Sequence, residues 1–169
     1  MSDAQELASK LIEEAYHLTK CSFVRYVIES SEPDVRDDFD RRAFSLYEDW
    51  SREARYSQMA LGDLLAEMDR VPTSSSFPIE SGQYNYLSPT YLLGPVIEKC
   101  SAEVERLVEI SGEIQGSPRG KDLLNAVVAR QRYYLDRAKK LEAELPSVAV
   151  ASTQGASPRK IKGSSASRW

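Results

Sequence analysis

The chain has 169 residues and a formal net charge of −4, and this charge is unevenly distributed. Four basic residues and no acidic residues follow Leu145, so the part before it carries a formal charge of −8. An acidic body argues against nucleic acid as a partner, because phosphate backbones require a basic face. The sequence has neither an apolar run of 18 residues nor a signal-peptide pattern at its start. We therefore expect a cytoplasmic protein that makes no membrane contact.

The two cysteines are isolated from each other in the sequence. Cys21 and Cys100 do not show the C-x-x-C spacing that is typical of zinc and redox sites. Free cysteines in a reducing compartment are usually small buried residues. The sequence therefore predicts two reduced, buried thiols rather than a disulfide or a zinc site.

Apolar residues recur at helical spacing in four stretches of the chain, which predicts four helices. The first extends from a cap at Ser2 or Asp3 to about Glu29 and stops at the turn-forming residues 30–33. The second covers residues 34–70 and would be about 54 Å long at the rise of an α-helix. Its predicted core positions follow steps of three and four residues: Phe39, Ala43, Leu46, Trp50, Ser57, Ala60, Leu64 and Met68.

A long connection separates the second and third helices. Residues 71–87 contain Pro, Ser and Gly, which disfavour a helix, but they are too apolar for a free linker. We expect an ordered strap that lets the third helix begin at the same end of the molecule as the second. The third helix is predicted over residues 88–113 and the fourth over 119–144, with a tight turn between them. Residues 146–169 are basic and rich in Ser and Ala, which predicts a disordered tail.

The order of short and long connections predicts the fold. Two short turns and one long crossover between the second and third helices favour an all-α, antiparallel four-helix bundle of ferritin-like topology over residues 1–145. A three-helix core with a loosely packed first helix is the alternative.

Each predicted core stripe is interrupted by one polar residue near the centre of its helix. These residues are Glu14, Glu53, Glu103 and Gln131, in chain order. Antiparallel helices would bring the four residues to about the same level in a bundle. Buried carboxylates need a partner, because an isolated buried charge is costly.

The sequence resembles the ferritin-like, rubrerythrin-like superfamily in these positions and in the crossover. In its di-iron proteins, two helices each supply a Glu and two others each supply Glu-x-x-His. Glu14 and Glu103 match the single carboxylates, and the resemblance implies that Glu14, Glu53 and Glu103 are candidate metal ligands. Where Glu-x-x-His is expected, the chain has Glu53-Ala-Arg-Tyr56 and Gln131-Arg-Tyr-Tyr134, so Tyr56, Gln131 and Tyr134 are predicted to line a polar core.

The missing histidines change the expected chemistry. Iron redox chemistry favours imidazole ligands, whereas carboxylates, amides and phenols suit Mg²⁺, Mn²⁺ or Ca²⁺. Because the amide and the phenols can donate hydrogen bonds to carboxylates, a metal-free network is favoured. We therefore expect no cofactor; if one binds, it should be a divalent cation (Mn²⁺, Mg²⁺, Ca²⁺ or Fe²⁺). Glu14-Ala-Tyr-His17 has the Glu-x-x-His pattern, but it lies on the first helix and not on the second or fourth, where the family has it. His17 is therefore not favoured as a ligand.

Three functions follow as hypotheses. The first is a ferritin-like bundle protein that has lost di-iron chemistry and has a binding, structural or stress-associated role rather than an enzymatic one. The second is a metal-binding oxidase or cation store that uses the carboxylates. The third is a cargo or assembly protein of a protein shell. A homo-oligomer or another protein partner is expected, with Phe23, Val24 and Val27 as an apolar face outside the core stripe.

Overall fold

The computed structural model describes residues 2–146. All regular secondary structure in this part of the chain is helical, with no β-strand, which confirms the predicted all-α class. Its elements are α1 (Asp3–Lys20), α2 (Phe23–Glu29), α3 (Asp38–Glu67), a 3₁₀ helix (Ile79–Tyr84), α4 (Pro89–Glu113) and α5 (Pro118–Ala143). No helix within residues 2–146 combines the length and apolar character that crossing a bilayer requires. The predicted disordered tail lies outside the described residues from position 147 onward.

The helices begin where the sequence supplies caps. Ser2 forms a capping box with Gln5 at the start of α1, and the Asp37 side chain accepts a hydrogen bond from the Asp40 N–H at the start of α3. Ser88 and Ser117 cap α4 and α5, each followed by a proline in the first turn. The bounds of α4 and α5 therefore lie within one residue of the predicted third and fourth helices.

The predicted first helix is wrong as a single element, because the chain breaks between Lys20 and Phe23. Ser22 has φ −55° and ψ 141°, so its backbone is extended and begins a new helix. The Glu103 side chain on α4 accepts hydrogen bonds from the Ser22 hydroxyl and the Phe23 N–H. A carboxylate at a helix N-terminus stabilises the free N–H groups there, which explains why the chain ends one helix and starts another at this point.

Hydrogen bonds between the helices define their directions. Arg70 pairs with Glu6, and Gln58 donates to the Tyr16 hydroxyl, so α1 and α3 are antiparallel. The start of α3 also meets the end of α5, where Arg42 pairs with Glu144. The end of α3 meets the start of α5 through the ion pair of Glu67 with Arg119, so these two helices are antiparallel as well.

The starts of α3 and α4 lie together. The Asp40 side chain accepts hydrogen bonds from the N–H and the hydroxyl of Thr90, and the Tyr47 hydroxyl donates to the Pro89 carbonyl. The two helices therefore begin at the same end of the molecule, and the connection between them must return along its length.

That connection is anchored to the first two helices. On α1, the His17 ring nitrogens lie 2.8 Å from Ser75 Oγ and 3.1 Å from Thr73 Oγ1. On α2, the Tyr26 hydroxyl donates to the Asn85 side chain. Phe77 and Tyr84, from the connection, also pack against the hydrophobic core. The connection thus packs against the helices, as expected of a strap.

The hydrophobic core consists of two clusters. One surrounds the fully buried Trp50 and Tyr47 and includes residues of α2, α3, α4 and α5; the other includes α1 and the opposite ends of α3, α4 and α5. Phe23, Val24 and Val27 belong to the first cluster and are buried. The predicted outer apolar face is therefore wrong, because the break after Lys20 reorients α2 and turns these side chains inward.

The core stripe of α1 is also displaced from its prediction. The helical spacing of Leu7, Leu11, Glu14 and Leu18 predicts that they form the core face of this helix. In the structure Leu7 is 51% exposed, whereas Ala8, Ile12 and Ala15 are fully buried. The buried face of α1 is thus rotated by about one residue, or about 100°, relative to the predicted face. Glu14 lies at the edge of the helix interface as a consequence.

Candidate functional site

Glu103 lies at the junction of α2 and α4. Its Oε2 accepts a hydrogen bond of 2.7 Å from the Ser22 hydroxyl, and its Oε1 accepts one of 2.8 Å from the Phe23 N–H. Burial raises the pKa of Glu103 to about 7, and these hydrogen bonds oppose that rise. Both carboxylate oxygens are therefore engaged in holding the start of α2.

Cys100 is one helical turn before Glu103 and is buried. Burial raises the pKa of its thiol, and the charge of Glu103 raises it further. A protonated thiol is a poor nucleophile and a poor metal ligand. Both cysteines are free; Cys100 is buried as predicted, whereas Cys21, at the end of α1, is only half-buried.

Glu14 is paired with an arginine of α4. Arg106 Nε lies 2.6 Å from Glu14 Oε1, and Arg106 Nη2 lies 2.9 Å from Glu14 Oε2. This two-pronged geometry uses both carboxylate oxygens. Because the Glu14 side chain is 42% exposed, the pair is at the rim of the core and not at its centre.

Glu53 is paired with an arginine of α5, with 3.2 Å between Arg130 Nε and Glu53 Oε1. Its side chain is 22% exposed, so it is more enclosed than Glu14. The neighbouring Gln131 is directed into the core, where its Oε1 accepts a 2.6 Å hydrogen bond from Trp50 Nε1. Its Nε2 is buried and makes no hydrogen bond within the described part of the chain.

The two predicted tyrosines differ in position. Tyr56 is 56% exposed, so the prediction that it lines the core is wrong. The buried residues on either side of it are Ala54 and Ser57, which leaves Tyr56 on the outer face of α3. Tyr134 is half-buried and stacks on Trp50 at 6.1 Å between ring centroids. Burial raises the pKa of Tyr134, and nearby Asp49 and Glu53 raise it further.

His17, which was not favoured as a ligand, contacts the connection and not the carboxylates at the centre of the helices. Besides Ser75 and Thr73, its Nε2 lies 3.5 Å from Glu13 on the same helix. Glu13 in turn accepts hydrogen bonds from the N–H and the hydroxyl of Thr73. The histidine therefore helps fasten the connection to α1.

The structure thus distributes the predicted ligands over three separate interactions. Glu14 contacts Arg106, Glu53 contacts Arg130, and Glu103 contacts the start of α2. Within residues 2–146, no three His, Cys, Asp or Glu side chains are grouped so that they could hold a metal ion. As arranged, this donor set does not fit a shared cation, and the metal site stays a prediction.

The sequence interpretation missed a basic groove between α3 and α5. The groove has a volume of about 520 Å³, and its walls carry Arg41 and Arg42 from α3 and Arg137 and Lys140 from α5. The available signal was the set of basic residues near the start of one helix and near the end of its antiparallel neighbour. That signal requires the pairing of the two helices to be known first.

No protein-family model, curated protein or solved structure matches this chain.

Proposed function

We propose that this protein is a ferritin-like helical bundle in which structural interactions have replaced di-iron chemistry, and that it has a binding role rather than an enzymatic one. The observation that carries the proposal is the engagement of each candidate ligand by the protein itself. Glu14 and Glu53 are each paired with an arginine, and Glu103 caps α2. A cation would have to displace an arginine from the first two and the helix N-terminus from the third.

The helix arrangement supports the ferritin-like grouping. In this proposal, α1 and α2 are the two halves of the first helix of the bundle, divided at Ser22. The common starting end of α3 and α4 is what the long crossover of that topology requires. Short connections join α1 to α2 and α4 to α5.

The buried polar contacts support a structural use of the central positions. Trp50 donates to Gln131 at the position where the family places a carboxylate, and no charge is needed there. An amide satisfies an indole N–H without burying a charge, and the remaining cost is the buried Gln131 Nε2, which makes no hydrogen bond within residues 2–146. The shell-cargo alternative depends on the tail, which lies outside the described residues.

The proposal is tested by metal uptake. Purified protein is loaded anaerobically with Fe²⁺, and separately with Mn²⁺ and Zn²⁺, then desalted and submitted to elemental analysis. A Glu53→Gln, Glu103→Gln variant is measured beside a control variant that removes two exposed carboxylates of α4, Glu98→Gln, Glu105→Gln. We expect metal well below one ion per chain, and equally low in all three proteins. Near-stoichiometric metal that is lost in the first variant and kept in the control would support the metal-binding alternative instead.

A further inference from the structure

We propose that the groove between the start of α3 and the end of α5 binds a small anionic ligand that carries linked phosphoryl groups. The inference rests on the proposed binding role and gives that role a ligand class. The groove is lined by four basic side chains and one carboxylate, Glu144. Before Leu145, the chain carries a net charge of −8, so this concentration of positive charge is opposite in sign to the rest of the body.

Two of the four basic side chains already have carboxylate partners. Arg42 lies 2.6 Å from Glu144, and Arg41 pairs with Asp38. Arg137 and Lys140 make no ion pair within residues 2–146. Two cations on one wall of the groove are therefore available to an anion from solution.

Arg137 is held in place by aromatic rings. Its guanidinium carbon lies 5.7 Å from the ring centroid of Tyr133 and 5.9 Å from that of Tyr134. A cation above aromatic faces loses less freedom when it binds a ligand, because its position is already restricted. Tyr134 is itself fixed by stacking on the buried Trp50.

The size of the groove favours a small molecule. Its volume of about 520 Å³ is in the range of small-ligand sites. From Arg137 to Glu144 the α5 wall extends about 10 Å, at 1.5 Å per residue. The buried Leu46 and Leu141 form an apolar base beneath the charged rim. Such a length suits a few linked phosphoryl groups better than an extended acidic peptide.

Arginines on both walls and a lysine on the α5 wall suit phosphoryl oxygens. The planar guanidinium fork binds two oxygens at once, and the ammonium group adds a compact charge. The Glu144 carboxylate is paired with Arg42, so a phosphoryl group that binds Arg42 would displace Glu144. Removing the charge of Glu144 should therefore strengthen binding.

The test is calorimetric titration with inorganic pyrophosphate and triphosphate, in the presence of a chelator so that no metal contributes. The variant Arg137→Gln, Lys140→Gln removes the two cations without carboxylate partners. The control Arg132→Gln, Lys139→Gln makes the same charge change on the same helix, but its two residues line a different groove, between α4 and α5. Circular dichroism and urea unfolding establish that each variant is folded.

We expect the wild type to bind, the groove variant to lose about tenfold or more in affinity, and the control to lose less than about threefold. Glu144→Gln should gain affinity several-fold. Equal losses in both double variants, or the absence of binding by the folded wild type, would overturn the proposal. The metal-uptake experiment does not involve these residues, so the two proposals fail separately.

Discussion

Glu103 of α4 and Ser22 at the start of α2 are joined by a 2.7 Å hydrogen bond between the Ser22 hydroxyl and Glu103 Oε2. One of the three carboxylates that were candidate metal ligands in the sequence thus caps a helix from outside it. Asp40 does the same for α4, where it accepts hydrogen bonds from the N–H and the hydroxyl of Thr90. Two helix starts are therefore stabilised by carboxylates of neighbouring helices.

Loss of the Glu103 cap should cost more stability than the loss of an exposed carboxylate. Glu103→Ala removes the acceptor of the Phe23 N–H and of the Ser22 hydroxyl, so we expect a loss of about 1–3 kcal/mol in the free energy of unfolding. Glu103→Gln keeps one acceptor oxygen and should cost less. Urea unfolding measures both, with the exposed Glu105→Ala as the control, which should change stability by less than about 0.5 kcal/mol. Equal effects of Glu103→Ala and Glu105→Ala would contradict the capping role.

The raised pKa of Glu103 predicts a pH dependence of stability. The folded value is about 7 and the ordinary value is 4.5, so the folded protein retains this proton more tightly than the unfolded chain does. The bound proton stabilises the folded protein fully below about pH 4.5. This stabilisation is lost as the pH rises through 7, and the whole loss is about 3 kcal/mol in the free energy of unfolding. The difference in unfolding free energy between wild type and Glu103→Gln, measured from pH 5 to 8, should fall with rising pH.

The pH range over which the residue affects stability differs between Glu103 and Asp40. Burial raises the pKa of Asp40, but its hydrogen bonds outweigh that effect and leave the pKa below its ordinary 3.8. The contribution of Asp40 is therefore complete above about pH 3.8 and is lost at lower pH. A flat difference between wild type and Glu103→Gln from pH 5 to 8 would show that Glu103 is not held as described.

The Glu14 ion pair should contribute little to stability. The side chains of Glu14 and Arg106 are 42% and 34% exposed, so solvent screens their attraction. Glu14→Gln should cost less than about 1 kcal/mol, and added salt should reduce the cost further. Thermal and urea unfolding at low and high ionic strength measure it. A loss as large as that of Glu103→Ala would indicate that Glu14 has a more central role than the structure gives it.

Trp50 and Gln131 should be energetically coupled through their buried hydrogen bond. Gln131→Leu leaves the indole N–H unpaired, which costs about 1–3 kcal/mol, whereas Trp50→Phe removes that donor. In a double-mutant cycle of unfolding free energies, the loss in the combined variant should therefore be about 1 kcal/mol smaller than the sum of the losses in the two single variants. Trp50→Phe combined with Asn125→Leu, whose hydrogen bond to Ser111 lies elsewhere, should be additive.

Local sequence signals predicted most of the helices. Ser88 with Pro89, and Ser117 with Pro118, are caps followed by proline, and such signals depend only on neighbouring residues. The break at Ser22 has no comparable signal, because the group that stabilises it is Glu103, 81 residues away. A tertiary contact overrides the helical pattern of residues 3–29.

The candidate site was less predictable for the same reason. A rotation of about 100° on α1, which corresponds to one residue, moved Glu14 from the predicted core to its rim. The arginine partners of Glu14 and Glu53 lie on other helices, so periodicity within one helix does not reveal them. Gln131 was correctly placed in the core, since the buried stripe of α5 continues through Leu124 and Val127.

Carbon-13 NMR of glutamate side-chain carboxyl groups, titrated from pH 4 to 9 with and without Zn²⁺, tests the central claim most directly. The signals are assigned from their absence in Glu14→Gln, Glu53→Gln and Glu103→Gln. The account predicts a Glu103 midpoint near pH 7 and no common response of the three signals to Zn²⁺. A Glu103 midpoint near its ordinary 4.5, or a joint shift of the three signals when Zn²⁺ is added, would contradict it.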